Sequence, residues 1–140
     1  MSEGIEELKT FVLQWLRTHP DVVQLPAKKA DSRQVHLTVW LTRSKSRPIG
    51  LETGHADRVN FWLISQHVPR SMPASVQQVR KIWAGASSGW RDEVAGSSPR
   101  ARDGANSNLK AFEVVSTRPI TRFGVRSIAD ARMILEHVTA

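Results

Sequence analysis

Val35-His36-Leu37-Thr38-Val39-Trp40-Leu41-Thr42-Arg43 alternates apolar and polar residues along its length. Successive strand side chains point to opposite faces, so Val35, Leu37, Val39 and Leu41 line one side. His36, Thr38, Trp40 and Thr42 line the other, which makes this a half-buried strand with one tryptophan on its polar face. That tryptophan lies under a helix or in a dimer contact or, if its face is open to solvent, offers a stacking platform to a base. Arg43-Ser44-Lys45-Ser46-Arg47-Pro48 then reads as a basic turn, with Ile49 to Thr53 as a short returning strand. After a turn over Gly54 to Arg58, Val59-Asn60-Phe61-Trp62-Leu63-Ile64-Ser65 is apolar on both faces near its middle, the pattern of a central strand.

Helices bracket this β region. Ile5, Leu8, Val12, Trp15 and Leu16 recur with helical spacing, Phe11 lies beside them, and Pro20 stops the helix. Ser2 is its expected N-cap, and Glu3, Glu6 and Glu7 suit the positive helix end. At the other end of the chain, Ser127 caps a helix with Asp130 at the capping-box position. Its stripe is Ile128, Ala131, Ile134, Leu135 and Val138. Between them, Val76, Val79, Ile82 and Trp83 fit a short middle helix closed by Gly85, and Ala111 to Ser116 and Ile120 to Arg126 read as two strands joined across Thr117-Arg118-Pro119. Residues 86–108 are rich in Gly, Ser, Arg and Asn, and a stretch of that length without periodicity is normally functional or disordered.

The expected fold is therefore one small α+β domain over residues 1–140. A mostly antiparallel, or mixed, sheet of about 4–5 strands carries the N-terminal and C-terminal helices, and a long loop runs over 86–108. A parallel crossover through the middle helix is the alternative.

The 140 residues include no cysteine, which excludes a disulfide framework, a thiol nucleophile and a cysteine-based zinc site. The longest apolar run, Phe61 to Ile64, is too short to cross a membrane, and the opening Met-Ser-Glu-Gly lacks the features of a secretory signal, so a cytoplasmic location is expected. Net charge is +7, from 20 Lys and Arg against 13 Asp and Glu. Residues 28–110 hold +8 of it, while the two ends together hold −1. Fourteen of the basic residues are arginine, which forms bidentate forks to phosphate.

No Walker A sequence, G-x-G-x-x-G fingerprint or G-x-S-x-G elbow occurs, so neither a catalytic residue nor a cofactor is assigned. Glu52, His55 and Asp57 form the one local cluster of potential metal ligands, but it matches no zinc or calcium spacing, and no metal site is assigned. The carboxylates Asp57, Asp92, Glu93 and Asp103 are scattered, and a hydrolase acting on nucleic acid would require the fold to gather them. What remains is a charge-based reading as a nucleic-acid-binding domain. Arg43, Lys45, Arg47, Arg91, Arg100, Arg102 and Lys110 would contact phosphate, Asn106 and Asn108 would offer amides to base edges, and Trp90 would stack. Trp15, Trp62 and Trp83 sit on apolar stripes and are expected in the core. The competing reading is a non-catalytic interaction module, a homodimer or an accessory to an acidic protein partner, in which the charge only solubilises.

Overall fold

A computed structural model describes residues 4–26, 37–85, 89–92, 109 and 112–140. Helix α1 (Ile5–Thr18) leads into strand β1 (Val22–Leu25). Then follow β2 (Leu37–Thr42), β3 (Pro48–Glu52), β4 (Val59–Ile64), a 3-10 turn (Ser65–His67), β5 (Gln77–Trp83), β6 (Trp90–Asp92), β7 (Ile120–Val125) and helix α2 (Ile128–Val138). The described strands form one sheet of seven in the order β1-β2-β3-β4-β7-β5-β6. Every pairing is antiparallel, so the sheet is not mixed and holds no parallel crossover.

Both helices cover one face, as their stripes require. Leu8, Val12 and Leu16 of α1 and Ala131, Ile134, Leu135 and Val138 of α2 pack over Trp40, Ile49, Leu51, Phe61, Leu63, Phe123 and Val125. Trp40 thus lies under the helices, with its indole N–H donated to Thr38 Oγ1 at 2.9 Å. The Ser127 cap holds, its hydroxyl accepting from the Asp130 amide at 3.1 Å. Gly4 occupies the N-cap position of α1, and Ser2 lies outside the described residues.

The opposite face carries a second core of Leu37, Val39, Trp62, Ile64, Ile120 and Trp90, covered by Leu109, Phe112 and Val115. Gly50 sits where this cover presses closest. A Cβ there would come within 2.9 Å of Trp62 Cβ on the paired strand and 3.2 Å of a Leu109 methyl, so a side chain would force Trp62 and the cover to shift. A central strand apolar on both faces, as β4 is, follows directly from a sheet covered on both sides.

Four expectations are corrected. The sheet has seven described strands instead of four or five: Val22–Leu25 in the connection after α1 and Trp90–Asp92 within the expected loop are too short for alternation to mark them in sequence. The middle helix is strand β5. Val79, Lys81 and Trp83 face one side, and pairing with β7 and β6 supplies the strand hydrogen bonds that outweigh a short helical stripe. Gly85, at φ 111°, and Gly89, at φ 68°, belong to the β5–β6 hairpin and not to a helix end. The segment after Ala111 is a run of turns, with Phe112 O accepting from the Val115 and Ser116 amides at 3.1 and 3.0 Å, and it acts as the cover over the second core. Residues 86–88 and 93–108 of the expected loop lie outside the described residues. No helix among the described residues is long and apolar enough to cross a membrane.

Candidate nucleic-acid interface

The residues expected at the interface separate into groups. Arg43, Lys45 and Arg47 remain in the β2–β3 turn. Asp21 holds this turn by accepting from the Ser44 amide at 3.0 Å and the Ser44 hydroxyl at 2.6 Å. Those bonds keep the Asp21 carboxyl below its ordinary value, the hydroxyl contributing most. Arg43 is exposed. Lys45 and Arg47 serve the C-terminal end of α2. Lys45 donates to the Ala140 carbonyl at 2.6 Å, and Arg47 to the His137 and Val138 carbonyls at 3.2 and 3.5 Å. A cation there satisfies orphan carbonyls and meets the negative end of the helix dipole. His67 lies nearby, its backbone oxygen bonded to His137 Nε2 at 2.9 Å. Its imidazole is pushed below its ordinary value, first by burial and then by the positive charges of Arg47, Arg118 and His137.

Arg47→Met is accordingly expected to lower stability by about 1 kcal/mol, through lost hydrogen bonds to the helix end. Thermal melts should show a drop of about 3–4 °C at this chain length. An unchanged melting temperature would remove the helix-end role.

Trp90 is corrected outright. Only 2% of it is exposed, its indole N–H donates to the Arg118 carbonyl at 2.7 Å, and its ring meets Trp83 edge-on at 5.1 Å between centroids. It is a core residue with no face open to a base. Neighbouring Arg91 donates to the Trp90 carbonyl at 2.9 Å on the edge strand. Arg100, Arg102, Asn106, Asn108 and Lys110 lie outside the described residues.

At the opposite end of the sheet from the 43–47 turn, strand register assembles a polar surface whose spacing in sequence gives no sign of it. Glu52 pairs with Asn60, Asn60 with Gly124 and Gly124 with Gln77, so these four share one lateral row and one face. Trp62, Arg122 and Val79 form the next row, and Ile64, Ile120, Lys81 and Asp92 the one beyond. Glu52 accepts from the Trp62 indole, and from the Asn60 amide at 3.4 Å. Asn60 Oδ1 in turn accepts from Arg58 Nε at 3.1 Å, which fixes the plane of that guanidinium. The Arg58 Cδ, the Asn60 Oδ1 and the Gln77 Oε1 gather around Gly124, each 3.4 Å from where a Cβ would lie. Arg122 shares the face, and its Nε is buried with no hydrogen-bond partner among the described residues.

Arg58, Ala74, Ser75, Gln77, Gly124 and Arg126 line an open cleft of about 320 Å³ here. Asp57 bridges its two arginines. Oδ1 lies 3.5 Å from Arg58 NH1, and Oδ2 lies 3.4 Å from Arg126 NH2. Ser75 is turned to the start of α2, donating to Asp130 Oδ2 at 2.8 Å. The first turn of α2 is therefore closed by its own residues, and the charge of the cleft comes from the two guanidiniums.

Two of the three potential metal ligands, Glu52 and Asp57, have other partners. Glu52 is bonded to Trp62 and Asn60, Asp57 is bonded to two arginines, and no group of three potential ligands gathers among the described residues. Chemically, the cleft offers cations, an amide and a glycine floor, a set that receives an oxyanion. No aromatic residue lines it. Each described tryptophan is buried or half-buried, and Met133 is the one exposed large apolar side chain among the described residues.

In class, this is an antiparallel α+β sheet with two helices on one face and a cationic cleft at one end. Comparison with known proteins finds no family model, curated protein or solved structure that matches the chain.

Proposed function

We propose that this protein binds nucleic acid by its phosphate backbone, with the Arg58–Arg126 cleft as a principal contact. The observation that carries the reading is the convergence of two guanidiniums on one exposed, aromatic-free cleft of a chain with net charge +7. Arginine forks suit phosphate oxygens, and phosphate contacts give affinity without sequence information. Stacking on single-stranded bases needs an open aromatic face. No aromatic side chain lines this cleft, which favours backbone contact with a duplex over stacking on a single strand there. Exposed Arg43, in the turn at the other end of the sheet, would make a separate phosphate contact.

Fluorescence anisotropy of labelled duplex DNA, single-stranded DNA and RNA, titrated across salt, tests this. Duplex affinity should fall with salt at a log–log slope of about −0.9 per neutralised phosphate, and R58Q/R126Q should flatten that slope by about 2 while weakening binding about tenfold. Binding that disappears by physiological salt, or an unchanged slope in R58Q/R126Q with the fold intact, would overturn the proposal.

A further inference from the structure

Asp57 has an arrangement that phosphate binding through this cleft would have to disturb. Its two carboxylate oxygens each face a different guanidinium, Arg58 at 3.5 Å and Arg126 at 3.4 Å. A phosphate group presents the same pair of oxygens to the same two forks. Both distances exceed the roughly 2.7–2.9 Å of a good charge-assisted hydrogen bond, so the carboxylate is held loosely. The side chains of Asp57 and Arg126 are 59% and 69% exposed, and exposed ion pairs of this kind contribute little. Arg58 differs from Arg126 in being anchored. Its Nε is bonded to Asn60, itself bonded to Glu52, and its side chain is 25% exposed. The cleft thus holds one fixed guanidinium, one free to swing, and a weakly bound internal anion between them.

We infer that Asp57 is a built-in competitor for the phosphate site, occupying the oxyanion position between Arg58 and Arg126 and setting how tightly a phosphoryl group binds. Binding exchanges the carboxylate for phosphate oxygens, with no covalent step. Arg58 keeps its bond to Asn60 Oδ1 and turns its NH1 to the ligand, while Arg126 closes from the other side. The competitor offsets one of the two positive charges and lowers affinity for every phosphate alike, whether it belongs to a polynucleotide or to a small phosphate compound. The inference rests on the phosphate-binding reading of the cleft, but it also holds for a small phosphate if no polynucleotide binds.

The test uses the full chain and two probes, inorganic tripolyphosphate followed by thermal shift and labelled duplex DNA followed by anisotropy. D57N should bind tripolyphosphate about three- to tenfold more tightly than wild type, because a neutral amide no longer competes for the forks. In the R58Q/R126Q background the same substitution should have no effect, since the competition requires both guanidiniums. E7Q on helix α1 removes the same charge elsewhere on the surface and controls for net charge, which salt screens over about 8 Å at physiological ionic strength. An affinity gain confined to D57N with the arginines present supports the inference. Equal affinity in D57N and wild type, an equal gain in E7Q, or a gain that persists without the arginines would overturn it. Duplex DNA separates the two proposals. A D57N gain on tripolyphosphate with no duplex binding sinks the nucleic-acid reading alone, and duplex binding indifferent to D57N sinks the competitor alone.

Discussion

Trp90→Ala is expected to destabilise the protein by about 3–5 kcal/mol, the range for removing a large aromatic side chain from a packed core. The effect should approach the top of that range. The substitution opens a cavity in the second core, removes the edge-on contact with Trp83, and leaves the Arg118 carbonyl without its indole donor. Urea denaturation followed by circular dichroism and by fluorescence of the remaining tryptophans would measure it. Trp90→Phe should retain most of the packing and lose chiefly the hydrogen bond to Arg118, at a cost of about 1–3 kcal/mol. The informative comparison is with binding. A buried Trp90 implies that the folded Phe variant binds single-stranded and duplex probes as wild type does, whereas selective loss on single strands would restore the stacking role.

The second large effect is at Lys81. This lysine is 2% exposed on the second-core face of β5 and forms an ion pair with Asp92 on β6, whose side chain is 22% exposed. Removing one partner of a buried pair strands the other charge, which costs about 3–5 kcal/mol when both are enclosed. Asp92 retains some solvent, so Lys81→Ala should fall near the lower end, about 3 kcal/mol. The double variant Lys81→Met/Asp92→Leu removes both charges and keeps the volume, and should lie within about 1 kcal/mol of wild type or above it. If Lys81→Ala alone were neutral, the pair would be solvent-screened and not part of the β5–β6 junction.

The residues explain why some of this was legible beforehand. A helix makes its hydrogen bonds within itself, so the stripes of α1 and α2 and the Ser127 cap lie in contiguous sequence. The alternation of β2 likewise placed Trp40 opposite Leu37 and Val39, while its cover by the helices, in place of an open face, was decided by packing. Strand β5 shows the limit. Val76, Val79, Ile82 and Trp83 have helical spacing, and the strand was selected by Gln77 to Lys81 pairing with Ile120 to Gly124, 39 to 47 residues away. The apolar residues of Ala111 to Ser116 carry a strand's composition because those of the turns that start at Phe112 are buried, as a strand's would be. They are buried as a lid over β4 and β7, making their hydrogen bonds locally.

The candidate site divides in the same way. The excess of arginine and its concentration in the middle of the chain belong to the sequence, as do the two helices, the central strand and the absence of cysteine. Which arginines act together was decided by tertiary structure. Lys45 and Arg47, adjacent in a basic turn, are drawn to the carbonyl end of α2. Arg58 and Arg126, far apart in sequence, meet at Asp57 because β4 and β7 are antiparallel neighbours that place Val59 opposite Val125. Charge is a property of composition and survives any folding. Convergence of charges is set by strand register, and register is written in hydrogen bonds between segments that only the folded chain brings together.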